Sequence, residues 1–200
     1  MKLLYATSND GKVYNMKRRV RGLPIEVITP RDLGIKLEIN EDGKTTVENA
    51  TKKAQAYYDY TKMPTIAGDS AMYIAALPEE KQPGLCIRRV DSKELSDEDM
   101  IEHYSKLIEK YGGNSKAWYL TGIALIDEGG LNTIEIEENK FILTSKRDVL
   151  HAYRGNPLDV IRIDLTCHKY YSEMTDDEIR DMGYKFDVEL VDFLKKYLLI

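Results

Sequence analysis

The chain has 200 residues, 42% of them hydrophobic and 32% charged, with a formal net charge of -5 and two cysteines, Cys86 and Cys167. That length can bury a substantial core unaided, and two cysteines so far apart make neither a disulfide framework nor a metal knuckle, which points to a reducing, cytoplasmic setting. The acidic balance excludes broad, sequence-independent nucleic-acid binding. No stretch approaches the roughly 20 apolar residues of a spanning helix and the N-terminus does not read as a leader, so a soluble protein with no membrane partner is expected.

"KLLYA" reads as a short buried strand, and "ATSNDGKVYNMKR" leaves it through small polar residues into a helix that begins near Gly11. Short side chains leave backbone N–H groups uncovered, and a helix N-terminus favours an anion there. The plainer alternative is a cap, with Ser8, Asn9 or Asp10 satisfying the free amides and Lys12 solvated. "KRRVR", Lys17 to Arg21, reads as the wet face of this helix. "IEVIT" is a second strand closed by Pro30, and "PRDLGIKLEINEDGK" an irregular charged connection. In "TTVENATKKAQAYYDYTK", Thr45 and Glu48 stand at capping-box spacing, Val47, Ala50, Ala54 and Tyr57 recur at helical intervals, and the other face carries Lys52 or Lys53.

"TIAGDSAMYIAAL" is expected to form two buried strands with a polar break at Asp69 and Ser70. After the loop "PEEKQPG", an amphipathic helix is capped by Ser96, buries Met100, Ile101, Tyr104, Leu107, Ile108 and Tyr111, and stops at Gly112-Gly113. "KAWYLTGIALID" and "LNTIEIEE" flank Glu128-Gly129-Gly130 as a hairpin, and "DVIRIDL" is a further strand. Thr175 and Glu178 repeat the capping-box spacing ahead of the closing amphipathic helix "VELVDFLKKYLL". With no repeat or linker, residues 1–200 read as a single α/β domain with two lobes. His103 lies on a helix, and His151 and His168 lack partners at ligand spacing, so no Ser-His-Asp or Cys-His arrangement can be built.

The polar loop ending in Lys12, the acidic connection leading to a lysine-bearing helix, and the buried Asp69-Ser70 together describe a magnesium–phosphate site. Magnesium takes oxygen ligands, commonly one or two carboxylates plus phosphates and water, so Glu41 and Asp69 suffice, although Glu38 and Asp42 share the connection with Glu41. Hydrogen bonds to charged groups contribute about 1.5–3 kcal/mol each, so Lys12 and Lys53 can dominate triphosphate affinity.

"ATSNDGK", "EDGKTTVENATKKA" and "PTIAGDSAM", in this order and spacing, resemble the inosine/xanthosine triphosphate pyrophosphatases, which hydrolyse non-canonical purine nucleoside triphosphates. "PGLCIRR" and "EMTDDEIRDMGYKFDVELVDFL" extend the resemblance more weakly. It implies a central twisted mixed sheet flanked by helices, two lobes around a nucleotide-binding cleft, and a homodimer. It also implies magnesium-assisted attack of water on the α-phosphorus, giving a monophosphate and pyrophosphate. Carried over by position, Thr7, Ser8, Asn9, Lys12 and Lys53 hold phosphates, Glu41 binds metal, Asp69 is metal ligand or base, and Ser70 supports them.

The sequence departs from that family in two places. Gly68 stands where the first of two adjacent acids is expected, with Ala71 in place of a glycine, and Asp159 or an acid of "PEEK" could substitute. The base-reading segments are altered to "HAYRGNPLD", Ile179 and "GYK", leaving Tyr153, Tyr184 and Lys185 as candidates to contact the base. Gly68 therefore separates two functions: a divergent pyrophosphohydrolase, and a catalytically weakened nucleotide binder acting as sensor or scavenger.

Overall fold

The computed structural model describes residues 1–90, 93–153 and 155–200, so Arg154 of "HAYRGNPLD" lies outside the described residues. In chain order the elements are β1 (Lys2–Tyr5), α1 (Asp10–Arg19), β2 (Glu26–Ile28), α2 (Thr46–Thr61), β3 (Thr65–Ile74), β4 (Arg89–Val90), β5 (Lys93–Glu94), α3 (Asp97–Lys110), β6 (Asn114–Asp127), β7 (Gly130–Glu137), β8 (Phe141–Thr144), β9 (Arg162–Asp164), α4 (Asp176–Asp181) and α5 (Lys185–Leu198). The protein is mixed α/β. Its central sheet runs β2-β1-β3-β6-β8-β9 with β7 paired to β6, parallel where β1 meets β2 and β3 and antiparallel where β6 meets β7 and β8.

The chain divides into two compact units, the first comprising Met1–Ser70, Leu120–Glu137 and Lys185–Ile200, the second Ala71–Tyr119 and Glu138–Tyr184. In the first unit the sheet is covered on both faces. Leu3, Tyr5, Ile66, Ile123 and Leu125 pack with Met16 of α1, with Val20 just beyond its end, and with Phe186, Leu190 and Phe193 of α5. Leu4, Ala6, Ile28, Ala67, Ala124 and Ile126 pack with Ala50, Ala54 and Tyr57 of α2. Because side chains alternate along a strand, Gly68 shares the α1 face with Ile66, while Asp69 shares the α2 face with Ala67. The second unit packs Met100, Ile101, Tyr104 and Ile108 of α3 against Ala117, Tyr119, Phe141 and Leu143.

Several expected elements differ in form. β3 is one unbroken strand through Asp69 and Ser70, because their polar groups are satisfied sideways, Asp69 by Asn49 and Lys53 and Ser70 by Thr121. "DVIRIDL" splits into a 3-10 turn, Pro157–Ile161, and β9. Asn156 caps that turn by accepting the Leu158 N–H, and Pro157 suits its first position. β8 was not expected from the sequence at all. The closing segment forms two helices, α4 and α5, separated where Gly183 takes φ 58°. Lys53 is also not on the outer face of α2, being buried alongside Asn49, Ala50 and Ala54.

Candidate active site

The polar loop after β1 is built by local hydrogen bonds. Asn9 caps α1 by accepting the Lys12 N–H at 2.9 Å, and Thr7 Oγ1 accepts the Asn9 N–H at 3.2 Å. The cap reading of this loop holds at Asn9, which satisfies one of the several amides that a helix start leaves uncovered. Ser8 is exposed. Lys12 Nζ reaches across to donate to the Gly68 carbonyl at 3.3 Å, which ties the start of α1 to β3 at the residue before Asp69.

The acidic connection is held to α2 residue by residue. Glu48 accepts the Lys44 N–H at 2.6 Å, Asn49 accepts the Gly43 N–H at 2.8 Å, Lys52 pairs with Asp42, and Lys53 Nζ donates to Glu41 at 2.9 Å. The segment 41–44 thus runs antiparallel to the helix, and positions 48, 49, 52 and 53 receive it because residues four apart share a helix face. Thr45 accepts the Glu48 N–H at 3.1 Å, which is one half of the expected capping box. The Glu48 carboxylate completes it one residue early, at Lys44 rather than Thr45. Lys52, by hydrogen bond and charge, holds the Asp42 carboxyl below its ordinary range.

The start of α2 is fixed against the sheet. A Cβ on Gly122 of β6 would lie 2.4 Å from the Val47 nitrogen and 2.5 Å from the Thr46 carbonyl carbon, so only glycine fits. Thr46 Oγ1 also donates to Glu135 of β7 at 2.7 Å. This contact sets α2 at the height where Asn49 Nδ2 donates to Asp69 Oδ2 at 3.0 Å and Lys53 Nζ to Asp69 Oδ1 at 3.2 Å. The Lys53 ammonium stands between the carboxylates of Glu41 and Asp69, with side-chain exposures of 11%, 42% and 15% respectively. Ser70 Oγ lies 2.8 Å from Thr121 Oγ1.

Lys12, Glu41, Lys53, Asp69 and Ser70 therefore converge within the first unit, around the middle of β3. Asn49 joins them without having been singled out in the sequence. The available signal was its spacing, four residues before Lys53 on the same helix face. At Gly68, a Cβ would lie 3.0 Å from Ile123 Cδ1 and 3.8 Å from the Tyr5 hydroxyl.

The candidates for contacting a base are engaged elsewhere. Tyr153 donates its hydroxyl to Asp97 Oδ2 at 3.0 Å, within the second unit. Tyr184 donates to Asp164 Oδ2 at 2.7 Å and stacks on Tyr171, with ring centroids 5.9 Å apart. Burial, then Tyr171 and Asp164, push the Tyr184 hydroxyl far above its usual titration range, so it stays a neutral donor. Lys185, in the first unit, lies 3.8 Å from Glu189. Beneath Tyr171, the Arg162 guanidinium is stacked by Phe141 and Tyr171, both at 4.2 Å, and bonds Asp159 at 2.9 Å. Asp159 is therefore committed to an ion pair. His151, expected to lack a partner, has one: its Nδ1 is 3.0 Å from Asp148 Oδ2, and Asp148 and Glu173 lie close enough for all three to face one ion.

A model of the Ham1 family matches residues 3–153. The chain is 32% identical over 197 residues to a dITP/XTP pyrophosphatase of Leptospira interrogans, covering 96% of each chain. It is 28% identical over 200 residues to a dITP/XTP pyrophosphatase of Thermoanaerobacter pseudethanolicus, covering 100% of this chain and 97% of that one. Among solved structures, a HAM1 protein from Coxiella burnetii superposes with a TM-score of 0.69 at 24% identity, covering 89% of both chains, which is a likeness of fold.

Proposed function

Because the chain belongs to the Ham1 family, we propose that it is a magnesium-dependent nucleoside triphosphate pyrophosphohydrolase acting on non-canonical purine nucleotides. The observation that carries this reading is the convergence of Glu41 and Asp69 on a single cation, Lys53 Nζ, at 2.9 and 3.2 Å. Two carboxylates already sharing a positive charge are an all-oxygen donor set suited to a hard divalent ion. Magnesium bound there would withdraw charge from the phosphate oxygens and acidify a water.

The chain's own residues do the rest. The exposed amides at the start of α1, with Thr7, Ser8, Asn9 and Lys12, hold the phosphate tail, and Ser70 supports it from β3. Lys53 transfers its charge from the carboxylates to the phosphates when the nucleotide arrives. A water oxygen bonds to the α-phosphorus, the bond from that phosphorus to the bridging oxygen breaks, pyrophosphate leaves, and the water's proton passes to solvent, or to Asp69 where that carboxylate serves as base rather than as metal ligand. The names of the Leptospira and Thermoanaerobacter relatives support an inosine- or xanthosine-like base. A second reading, a nucleotide binder of weakened activity, draws on Gly68, which brings no carboxylate. We further take the protein to be a cytoplasmic homodimer, in keeping with the family and with unpaired Cys86 and Cys167.

The test is pyrophosphate release from a panel of nucleoside triphosphates with magnesium. Inosine and xanthosine triphosphates should be cleaved, and a folded Asp69→Asn protein should lose most of the rate. Wild-type rates in that variant would refute the assignment.

A further inference from the structure

Asn49 is buried, 3% exposed, in the first turns of α2. A buried primary amide has donors and an acceptor to satisfy, and this one divides them between the two strands of chain that carry the acids. Its Nδ2 donates to Asp69 Oδ2 at 3.0 Å, and its Oδ1 accepts the Gly43 N–H at 2.8 Å, two residues from Glu41. The fit at Gly43 is close. A Cβ there would come within 2.6 Å of Asn49 Oδ1 and 2.8 Å of Glu48 Cβ, so the connection passes the helix only as glycine.

Lys53 holds the same two acids, but its ammonium is a mobile charge on four methylenes and is the group that must leave when a metal or a phosphate arrives. Asn49 is neutral and short. Once Lys53 has moved away, it is the remaining side chain of α2 bonded both to Asp69 and to the backbone leading to Glu41.

Resting on the metal-and-phosphate reading of Glu41 and Asp69, we infer that Asn49 is a positioning residue that fixes the spacing of these two carboxylates and the orientation of Asp69. Its donor is spent on Oδ2, which turns Oδ1, the oxygen now facing Lys53, toward the metal. Neither an acid nor an aliphatic side chain can substitute, because the position needs a donor on one side and an acceptor on the other.

The experiment measures Mn2+ binding to the whole, nucleotide-free protein, by electron paramagnetic resonance of the free ion, beside steady-state kinetics with magnesium and inosine triphosphate. Loss of a group that orients a metal ligand typically costs about 10–100-fold in affinity or activity. Asn49→Ala should weaken Mn2+ binding by that factor and lower kcat similarly, with KM within about threefold at saturating magnesium. Leu190→Ala, a buried change in α5 away from the acids, should lower the melting temperature and leave Mn2+ affinity as in wild type. If Asn49→Ala does not fold, Asn49→Ser, whose hydroxyl is too short to reach both partners, should show the same loss of metal affinity. Wild-type Mn2+ affinity in a folded Asn49 variant overturns the inference. A wild-type protein that binds Mn2+ in an Asn49-dependent way yet cleaves no triphosphate upholds it and overturns the proposed activity, and a wild-type protein that binds no Mn2+ overturns both.

Discussion

Lys53→Met removes the cation between Glu41 and Asp69 while keeping most of the side chain's bulk in its buried slot. In the nucleotide-free protein, any metal entering between these acids must displace the ammonium from two contacts, at 2.9 and 3.2 Å. Asp69 is 15% exposed, so its charged hydrogen bond counts at about 1.5–3 kcal/mol. Glu41 is 42% exposed, and a screened pair of that kind is worth about 0.2–1 kcal/mol. Together the metal works against about 2–4 kcal/mol, or about 30- to 700-fold in affinity at 1.4 kcal/mol per tenfold. These values are an upper range, because the displaced lysine regains some solvation. Lys53→Met should therefore bind free Mn2+ at least about tenfold more tightly than wild type, as read by titration without nucleotide. It should also require much more nucleotide for half-maximal rate, having lost a phosphate contact. Unchanged or weaker Mn2+ binding in a folded variant would show that Glu41 and Asp69 are not the metal's ligands.

Gly68→Asp would set its side chain on the α1 face, its Cβ 3.0 Å from Ile123 Cδ1 and 3.8 Å from the Tyr5 hydroxyl, on the opposite face from Asp69, so kcat should not rise. A gain of about 10²–10⁴-fold, the worth of a general base, would show that a carboxylate at position 68 does reach the attacking water. Gly122→Ala meets backbone at 2.4 and 2.5 Å instead and should cost about 3 kcal/mol, lowering the melting temperature by about 6–12 °C. An unchanged melting temperature would contradict the close seating of α2 on β6. Glu178 is drawn down to about 2, first by Lys169 and then by the Thr175 amide and hydroxyl. Its ionised form therefore favours the folded state above the ordinary carboxyl range, and that contribution fades as pH falls from about 4.5 to about 2. Glu178→Gln should flatten the acid limb of a stability–pH curve there. A limb identical to wild type in low salt would remove Glu178 as its source.

What the sequence revealed best was local chemistry. The caps at Ser96 and Thr175 each form a complete capping box, because each needs only residues three apart. The α3 stripe holds in Met100, Ile101, Tyr104 and Ile108, with Leu107 and Tyr111 partly buried, since one helix face is set by its own period. Features that depend on distant partners were hidden. Asp69 and Ser70 look like a strand break until Asn49, Lys53 and Thr121 are seen to satisfy them. "FILT" has no flanking turn signal, and becomes β8 through pairing with β6 and β9. Lys52 and Lys53 could not be told apart by charge. The phase of α2, set by Gly122 against Thr46 and Val47, turns Lys53 inward to Asp69 and leaves Lys52 outside with Asp42. Asn49 carried no charge to attract notice, although its spacing from Lys53 was visible.

The claim that matters most is where water attacks. Hydrolysis of inosine triphosphate with magnesium in 18O-labelled water, followed by mass analysis of both products, reads this directly. Attack at the α-phosphorus places the label in the monophosphate and leaves the pyrophosphate unlabelled. Label in the pyrophosphate, or release of inorganic phosphate and a diphosphate instead, would contradict the account.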